Sequence, residues 1–165
     1  MRPKRFLLPF APKHFLFLEL SYSYEMFGKT FETNNTDQEN SVVIMRDISV
    51  FSYCEHHMAL MYDMHVNVAY IPHERVLGLS KIARICDMAA KRLQLQERLG
   101  HDIAEIISEA AGSPDVGVQI SGSHSCMTAR GIKNVSAQTV TKTFLGEKPV
   151  SERNICRYRF SVSMS

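Results

Sequence analysis

The sequence predicts an α+β fold in which an antiparallel sheet carries a pair of helices on one face. Apolar and polar residues alternate at residues 64–71 and 116–126, as they do in half-buried strands, and residues 42–51 and 136–145 are rich in β-branched side chains. Between these stretches, apolar residues recur at helical spacing. The resulting order, β-β-α-α-β-β, requires the two helices to cover one face of the sheet. A chain of 165 residues is long enough for one such domain.

The first two predicted strands follow a polar, turn-rich stretch at residues 32–41. Residues 42–51 are apolar and rich in β-branched side chains, which favours a strand. Residues 64–71 alternate strictly, and the apolar face consists of Val66, Val68 and Tyr70. This alternation is typical of a strand that buries one face.

Two helices are predicted next. In residues 78–93 the apolar side chains at helical spacing are Ile82, Ile85, Cys86, Ala89 and Leu93. In residues 96–112 the corresponding set is Leu99, Ile103, Ile106, Ile107 and Ala110. Gly112 suits the end of the second helix, because glycine readily adopts the left-handed conformation found there.

Two further strands complete the predicted order. Residues 116–126 alternate, with Val116, Val118 and Ile120 on one face. The same face would continue through Gly122, His124 and Cys126 if the strand runs on. Residues 136–145 are rich in threonine and valine and are expected to form the last strand.

Composition narrows the range of partners. Hydrophobic residues make up 45% and charged residues 22% of the chain, as in ordinary globular proteins. The net charge of +2 indicates neither a nucleic acid nor a membrane surface as partner.

The N-terminal segment mixes basic and apolar residues as a signal peptide does. Because Pro9 and Pro12 interrupt it, we expect neither a targeting signal nor a membrane span. The four cysteines are expected to be reduced, in a cytoplasmic protein.

A metal site is the first functional hypothesis. Cys54 and His57 have the Cys-x-x-His spacing with which one turn can present a thiolate and an imidazole to one ion. Cys126 is the best candidate for a third ligand. Two cysteines and one histidine would leave the fourth position of a zinc ion open for water, as in catalytic sites. The competing interpretation is a buried cysteine beside a solvated histidine.

Two further histidines are candidates for proton transfer. His56 and His124 lie next to the predicted ligands in sequence, and histidine titrates near neutral pH, which suits general acid and base catalysis. The alternative is that they only orient the metal ligands. Glu55 either supports the same site or is a solvated acid.

A cluster of basic residues predicts an anion site. Ser80 and Arg84 share a face at the start of the first helix, beside Lys81, where backbone N–H groups and the helix dipole favour anions. Arg130 adds positive charge further along the chain. The alternative is a capping serine on a solvated basic face. Glu97, at the start of the second helix, either stabilises that terminus or accepts the two N–H donors of a guanine edge.

Six motifs occur together in the order and spacing of one family: CEHH, VAYIP, GLSKIAR, QLQERL, HSCMTARGI and TVT. The chain resembles GTP cyclohydrolase I over residues 42–145, which are expected to form the catalytic domain between divergent segments at 1–41 and 146–165. The resemblance implies the tunnelling fold, in which subunits assemble into homo-oligomeric barrels, usually a toroidal decamer. It also implies a zinc ion, GTP as substrate, and formate and 7,8-dihydroneopterin triphosphate as products.

The resemblance also implies roles for the residues that match the family's motifs. The zinc ligands would be Cys54, His57 and Cys126, and the acid/base histidines would be His56 and His124. Glu97, with Gln96 beside it, would hold the guanine. The triphosphate would be held by Ser80, Lys81, Arg84 and Arg130.

The chain departs from the family near its N-terminus, where Leu8 replaces a lysine that contacts phosphate and two prolines interrupt the expected helix. The tail also departs, and Cys156 has no family counterpart. One alternative is therefore a catalytically weak paralogue that binds nucleotide or partners through the same assembly. Another is a tunnelling-fold reductase of the 7-deazaguanine pathway. That group relies on a nucleophilic cysteine and lacks this zinc set, so CEHH and HSC argue against it.

Overall fold

A computed structural model describes residues 30–32, 41–73 and 75–146. For residues 30–32 it describes the main chain. The predicted departures at Leu8, Pro9 and Pro12, and the tail that contains Cys156, lie outside the described residues.

The main elements follow the predicted order β-β-α-α-β-β, with short additions. The strands are β1 (Thr30–Glu32), β2 (Val43–Cys54), β3 (Ala59–Tyr70), β4 (Arg75–Leu77), β5 (Leu93–Gln94), β6 (Val116–His124) and β7 (Thr139–Leu145). The helices are α1 (Leu79–Ala90), α2 (Gln96–Ala111) and the single turn α3 (Ser125–Thr128). The predicted α+β class is confirmed, and β1, β4, β5 and α3 are elements that the sequence pattern does not predict.

The main sheet has five strands in the order β5-β2-β3-β6-β7. Its four long strands pair antiparallel, as predicted. The two-residue β5 pairs in parallel with β2, so the sheet as a whole is mixed. β1 and β4 pair antiparallel in a separate two-stranded sheet. Because β3 lies between β2 and β6, it aligns the ends of both neighbours.

Both long helices pack on one face of the main sheet and close the core. On α1 the predicted apolar side chains are buried as far as Ala89, whereas Leu93 lies in β5 because the helix ends before it. On α2 the predicted set is buried except for Ile106, which packs at the edge of the core. Each leucine or isoleucine buried here contributes about 1.5–3 kcal/mol relative to its exposed state. Gly112 ends α2 in the left-handed conformation, as predicted.

Two differences from the predicted strand bounds shape the rest of the molecule. β2 extends to Cys54 and β3 starts at Ala59, so only a short turn connects them. β6 ends at His124, and Cys126 lies in α3 rather than on the strand face predicted for it. Both helix α3 and the β2–β3 turn therefore lie at the same end of the sheet.

Among the described helices, none is long and apolar enough to cross a membrane. The cysteines within the described residues, Cys54, Cys86 and Cys126, form no disulfide with one another.

Candidate active site

The candidate site lies where the β2–β3 turn meets the end of β6. Cys54 is the last residue of β2, and its partner in the sheet is Ala59 at the start of β3. β3 in turn aligns Met61 with His124, the last residue of β6. Helix α3 follows immediately and carries Cys126. Residues that are distant in sequence therefore bring sulfur and nitrogen atoms to one place.

Cys54, His124 and Cys126 form one compact group. One possible ligand atom from each lies within 4.8 Å of the other two, and no other such group occurs in the part of the chain that the structure describes. Burial raises the pKa of the Cys126 thiol, the neighbouring Cys54 raises it further, and the positive charge of Arg130 opposes both effects. Two sulfur atoms and one imidazole are a donor set that fits zinc.

His57, the predicted third ligand, lies beside this compact group with its side chain exposed. Its Nδ1 is 3.9 Å from Cys54 Sγ, but the compact group contains His124 in its place. His56 is also exposed, and its ring centroid is 6.0 Å from that of His57. All the predicted ligands and acid/base histidines thus lie at this junction, and the division of roles among them stays a prediction.

His124 is held by the start of α2. Its Nε2 lies 2.8 Å from Oε1 of Gln96, which is buried. Burial lowers the pKa of His124, and the negative charge of Glu97 partly offsets this effect. Glu97 itself is exposed in the first turn of α2. The predicted guanine anchor therefore lies next to the compact group.

An ion pair that local sequence spacing does not reveal fixes the β2–β3 turn. Arg98 on α2 donates a hydrogen bond to the Glu55 carboxylate. The Glu55 backbone N–H also donates to the carbonyl oxygen of Gln94, at 2.9 Å. Glu55 is therefore a support of the turn rather than a solvated acid. The two charged residues are 43 positions apart, and only the packing of α2 against the sheet brings them together.

The predicted anion site occupies the first turns of α1. Gly78 is the N-cap, without a side-chain hydrogen bond, and the first turn contains no acidic residue. Ser80 is therefore not the capping residue. Ser80 and Arg84 are exposed and Lys81 is partly buried. Arg130 lies beyond α3, close enough for its charge to act on a thiol of the compact group.

Comparison with known proteins identifies relatives over most of the chain. The family model for GTP cyclohydrolase I matches residues 3–159. A GTP cyclohydrolase 1 of Clostridium beijerinckii is 57% identical over 125 residues, which are 74% of this chain and 64% of that protein. A GTP cyclohydrolase 1 of Clostridium acetobutylicum is 56% identical over 123 residues, which are 74% of this chain and 63% of that protein. The chain thus spans less than two thirds of the length of these relatives.

One solved structure has a similar fold. The archaeosine synthase QueF-Like, in its apo form, superposes with a TM-score of 0.50 at 21% sequence identity, over 66% of this chain and 95% of that one. This likeness concerns the tunnelling fold alone. The family match supplies the more specific relationship: the chain belongs to the GTP cyclohydrolase I family.

Proposed function

We propose that this chain hydrolyses GTP, releases C8 of the guanine as formate, and closes the pterin ring of 7,8-dihydroneopterin triphosphate. The observation that carries the proposal is the meeting of Cys54, His124 and Cys126 within 4.8 Å, next to the carboxylate of Glu97. This reaction requires a metal-binding group and a carboxylate that can bind guanine, among other parts. Membership of the family, and the names of the relatives, support GTP as the substrate.

In this proposal Cys54, His57 and Cys126 hold a zinc ion. The 3.9 Å between Cys54 Sγ and His57 Nδ1 is near the roughly 3.5 Å that separates sulfur and nitrogen ligands around one tetrahedral zinc ion. His124 is the competing ligand, because it is the imidazole of the compact group. When bound, zinc would lower the pKa of a water molecule to about 7 and so provide hydroxide for attack on C8.

His56 and His124 transfer the protons. Protonation of guanine N7 makes C8 more electrophilic, and opening of the ring requires protons at the departing nitrogen atoms. The lowered pKa of His124 favours its neutral ring at neutral pH, so this residue is suited to act first as a base. His56 is exposed on the β2–β3 turn and can exchange protons with solvent.

GTP is held at its two ends. The Glu97 carboxylate can accept the two adjacent N–H donors of the guanine edge, and no other acidic residue lies in the first turn of α2. The triphosphate interacts with Ser80, Lys81 and Arg84 at the start of α1 and with Arg130 beyond α3. Arginine suits this role because its planar guanidinium can donate two parallel hydrogen bonds to phosphate oxygens.

The exposed face of the main sheet supports self-assembly. Phe51 and Tyr53 lie on the face of β2 opposite the helices, and Phe51 is 61% exposed. Leu60, which is aligned with Tyr53 across the β2–β3 pair, and Val140 on β7 are exposed too. Phe51, Tyr53 and Leu60 adjoin on this face, and large exposed apolar patches commonly mark protein–protein interfaces. We therefore propose a homo-oligomer, a decamer as the family resemblance implies, in the cytoplasm.

One assay tests the proposed function. Purified protein is incubated with GTP and zinc, and formate is measured together with the absorbance of the pterin. We expect the two products in equal amounts, and their loss after the metal is removed with a chelator. Binding of GTP without formation of formate would contradict the proposal and favour the weak paralogue.

A further inference from the structure

The side chain of Gln96 makes more hydrogen bonds within the protein than its neighbours in the candidate site. It is only 2% exposed, although it is the first residue of α2. Its Nε2 lies 3.1 Å from the Ile120 carbonyl oxygen, 3.0 Å from the Thr139 carbonyl oxygen and 3.3 Å from Thr141 Oγ1. Its Oε1 lies 2.8 Å from His124 Nε2. The amide thus joins β6 and β7 to the histidine.

These partners determine which way the amide points. The backbone carbonyls of Ile120 and Thr139 can only accept hydrogen bonds, so they require the –NH₂ group of Gln96 on their side. The –NH₂ group has two hydrogens, and the two carbonyls use both. The Oε1 atom must then face His124, and an oxygen without a hydrogen can only accept. Nε2 of His124 therefore carries the hydrogen in this contact.

We propose that Gln96 is a positioning residue: it holds the His124 ring in the Nε2–H tautomer and leaves Nδ1 as the nitrogen with the free lone pair. A neutral imidazole has one N–H and one lone pair, so fixing the first also fixes the second. Histidines that act on metals or protons commonly have their other ring nitrogen held by an oxygen acceptor. The consequence is the same whether His124 ligates the metal or transfers protons, because Nδ1 is the reactive atom in both cases.

This role differs from the substrate contact that the family resemblance implies for Gln96. A side chain whose two amide hydrogens are taken by backbone carbonyls, and whose oxygen is taken by His124, has little hydrogen-bonding capacity left for a guanine. The exposed carboxylate of Glu97 is next to it in sequence and is open to a ligand. Adjacent residues at the start of α2 thus face in different directions, with Glu97 toward solvent and Gln96 toward the histidine.

The protonation of the His124 ring can be measured directly in the wild-type protein, without any assumption about the reaction. Protein labelled with ¹⁵N-histidine is studied by solid-state NMR, and the His124 signals are identified by their absence in His124→Asn. We expect a protonated Nε2 and an unprotonated Nδ1 in the wild-type protein at pH of about 8, above the ordinary histidine pKa. A neutral ring with the hydrogen on Nδ1 would overturn the proposal.

The variant Gln96→Met then tests whether the Gln96 amide is what fixes the His124 tautomer. Methionine is similar in length and has neither the amide donor nor the oxygen acceptor, so the ring should lose its single tautomer and show a mixture. A variant that keeps the pure Nε2–H form would overturn the proposal. Two controls should retain the wild-type signals. Thr141→Val removes a third partner of Gln96 but leaves both carbonyls, and Gln94→Met removes a buried amide that bonds Ala89 and Asp102 instead.

Kinetics give a second readout, which rests on the proposed function. Gln96→Met should lower kcat about 10- to 100-fold, the usual effect of removing such an oriented partner, with KM for GTP near its wild-type value. A raised KM with unchanged kcat would indicate a substrate contact and overturn the proposal. If the wild-type protein makes no pterin, the proposed function fails, whereas the NMR result still decides the role of Gln96.

Discussion

The two halves of the candidate site differ in how firmly their histidine side chains are held. On the β6 side, His124 is partly buried and bonded to a buried amide that is tied to two strands. On the side of the β2–β3 turn, His56 and His57 are exposed, and Met58 next to them has a positive φ of 48° and is 74% exposed. The fold thus preorganises His124, whereas on the other side it anchors the turn through Glu55 and leaves the two exposed rings to be ordered by a bound metal or substrate.

The largest effect should follow from removing the thiol on the β6 side of the site. Cys126→Ala should lose the zinc, of which we expect about one ion per chain, and with it all pterin formation, because two ligands hold the ion too weakly. Metal content measured by atomic emission checks this. Cys86→Ala is the control, because Cys86 is a buried thiol of α1 in the core; it should keep the zinc and lose about 1 kcal/mol of stability. Full zinc content in Cys126→Ala would contradict the ligand assignment.

The two acid/base histidines, one in each half of the site, should affect turnover without affecting metal binding. His56→Ala and His124→Ala should both retain zinc and bind GTP, while kcat falls by about 10²-fold or more, the usual scale for losing a general acid or base. If His124→Ala loses the metal whereas His57→Ala keeps it, then His124 is the third ligand and the assignment of His57 is wrong. Zinc content and single-turnover kinetics on the three variants distinguish these cases.

Replacement of the guanine anchor should have an intermediate effect. Glu97→Gln should raise KM for GTP by about 10-fold or more, because a carboxylate accepts from two donors and an amide from only one. The melting temperature should change little, since the side chain is exposed. Glu109→Gln, near the other end of α2, is the matched control and should bind GTP normally. Equal affinities in wild type and Glu97→Gln would exclude the anchor role.

Much of this arrangement follows from the sequence, and the remainder depends on long-range packing. Apolar periodicity correctly predicts α1, α2, β3 and β6, and the richness in β-branched side chains correctly predicts β2 and β7. The helical periodicity, however, extends α1 to Leu93. In the structure Leu93 lies in β5 and pairs with Tyr53 of β2. The alternation of residues 116–126 also places Cys126 on a strand, because alternation alone does not reveal that a helical turn follows His124.

The site residues divide in the same way. CEHH and HSC each bring cysteine and histidine side chains together within one turn or strand end, because the spacing within a motif is a local property. The ion pair between Glu55 and Arg98 joins residues that are 43 positions apart, and the hydrogen bond between Gln96 and His124 joins residues that are 28 apart. No local pattern predicts either contact. The sequence therefore nominates the candidate site residues, whereas their hydrogen-bond partners become visible only in the fold.

The smallest predicted effect concerns a histidine far from the compact group. Burial lowers the pKa of His65, but hydrogen bonds and charge attraction from Asp63 and Asp47 outweigh it, so the net pKa is raised above 6.5. Its Nδ1 lies 2.6 Å from Asp47 Oδ1, and its Nε2 lies 3.2 Å from Asp63 Oδ1. The stabilisation is therefore fully present below pH 6.5 and is lost as the pH rises through the raised pKa.

His65→Gln tests this sign. The variant should be destabilised more at pH of about 6 than at pH of about 8, as measured by urea unfolding. The difference should be below about 1 kcal/mol, because both carboxylates are largely open to solvent and the His65 side chain is 37% exposed. Equal destabilisation at both pH values would show that the two aspartates do not hold a protonated ring.

X-ray absorption at the zinc edge tests most directly whether the two halves meet around one catalytic metal. For the zinc-loaded wild-type protein we predict two sulfur ligands at about 2.3 Å, one imidazole nitrogen and one oxygen from water. That result would place both Cys54 and Cys126 on the ion and leave one position open for reaction. Zinc without sulfur ligands, or with four ligands all from the protein, would contradict the account.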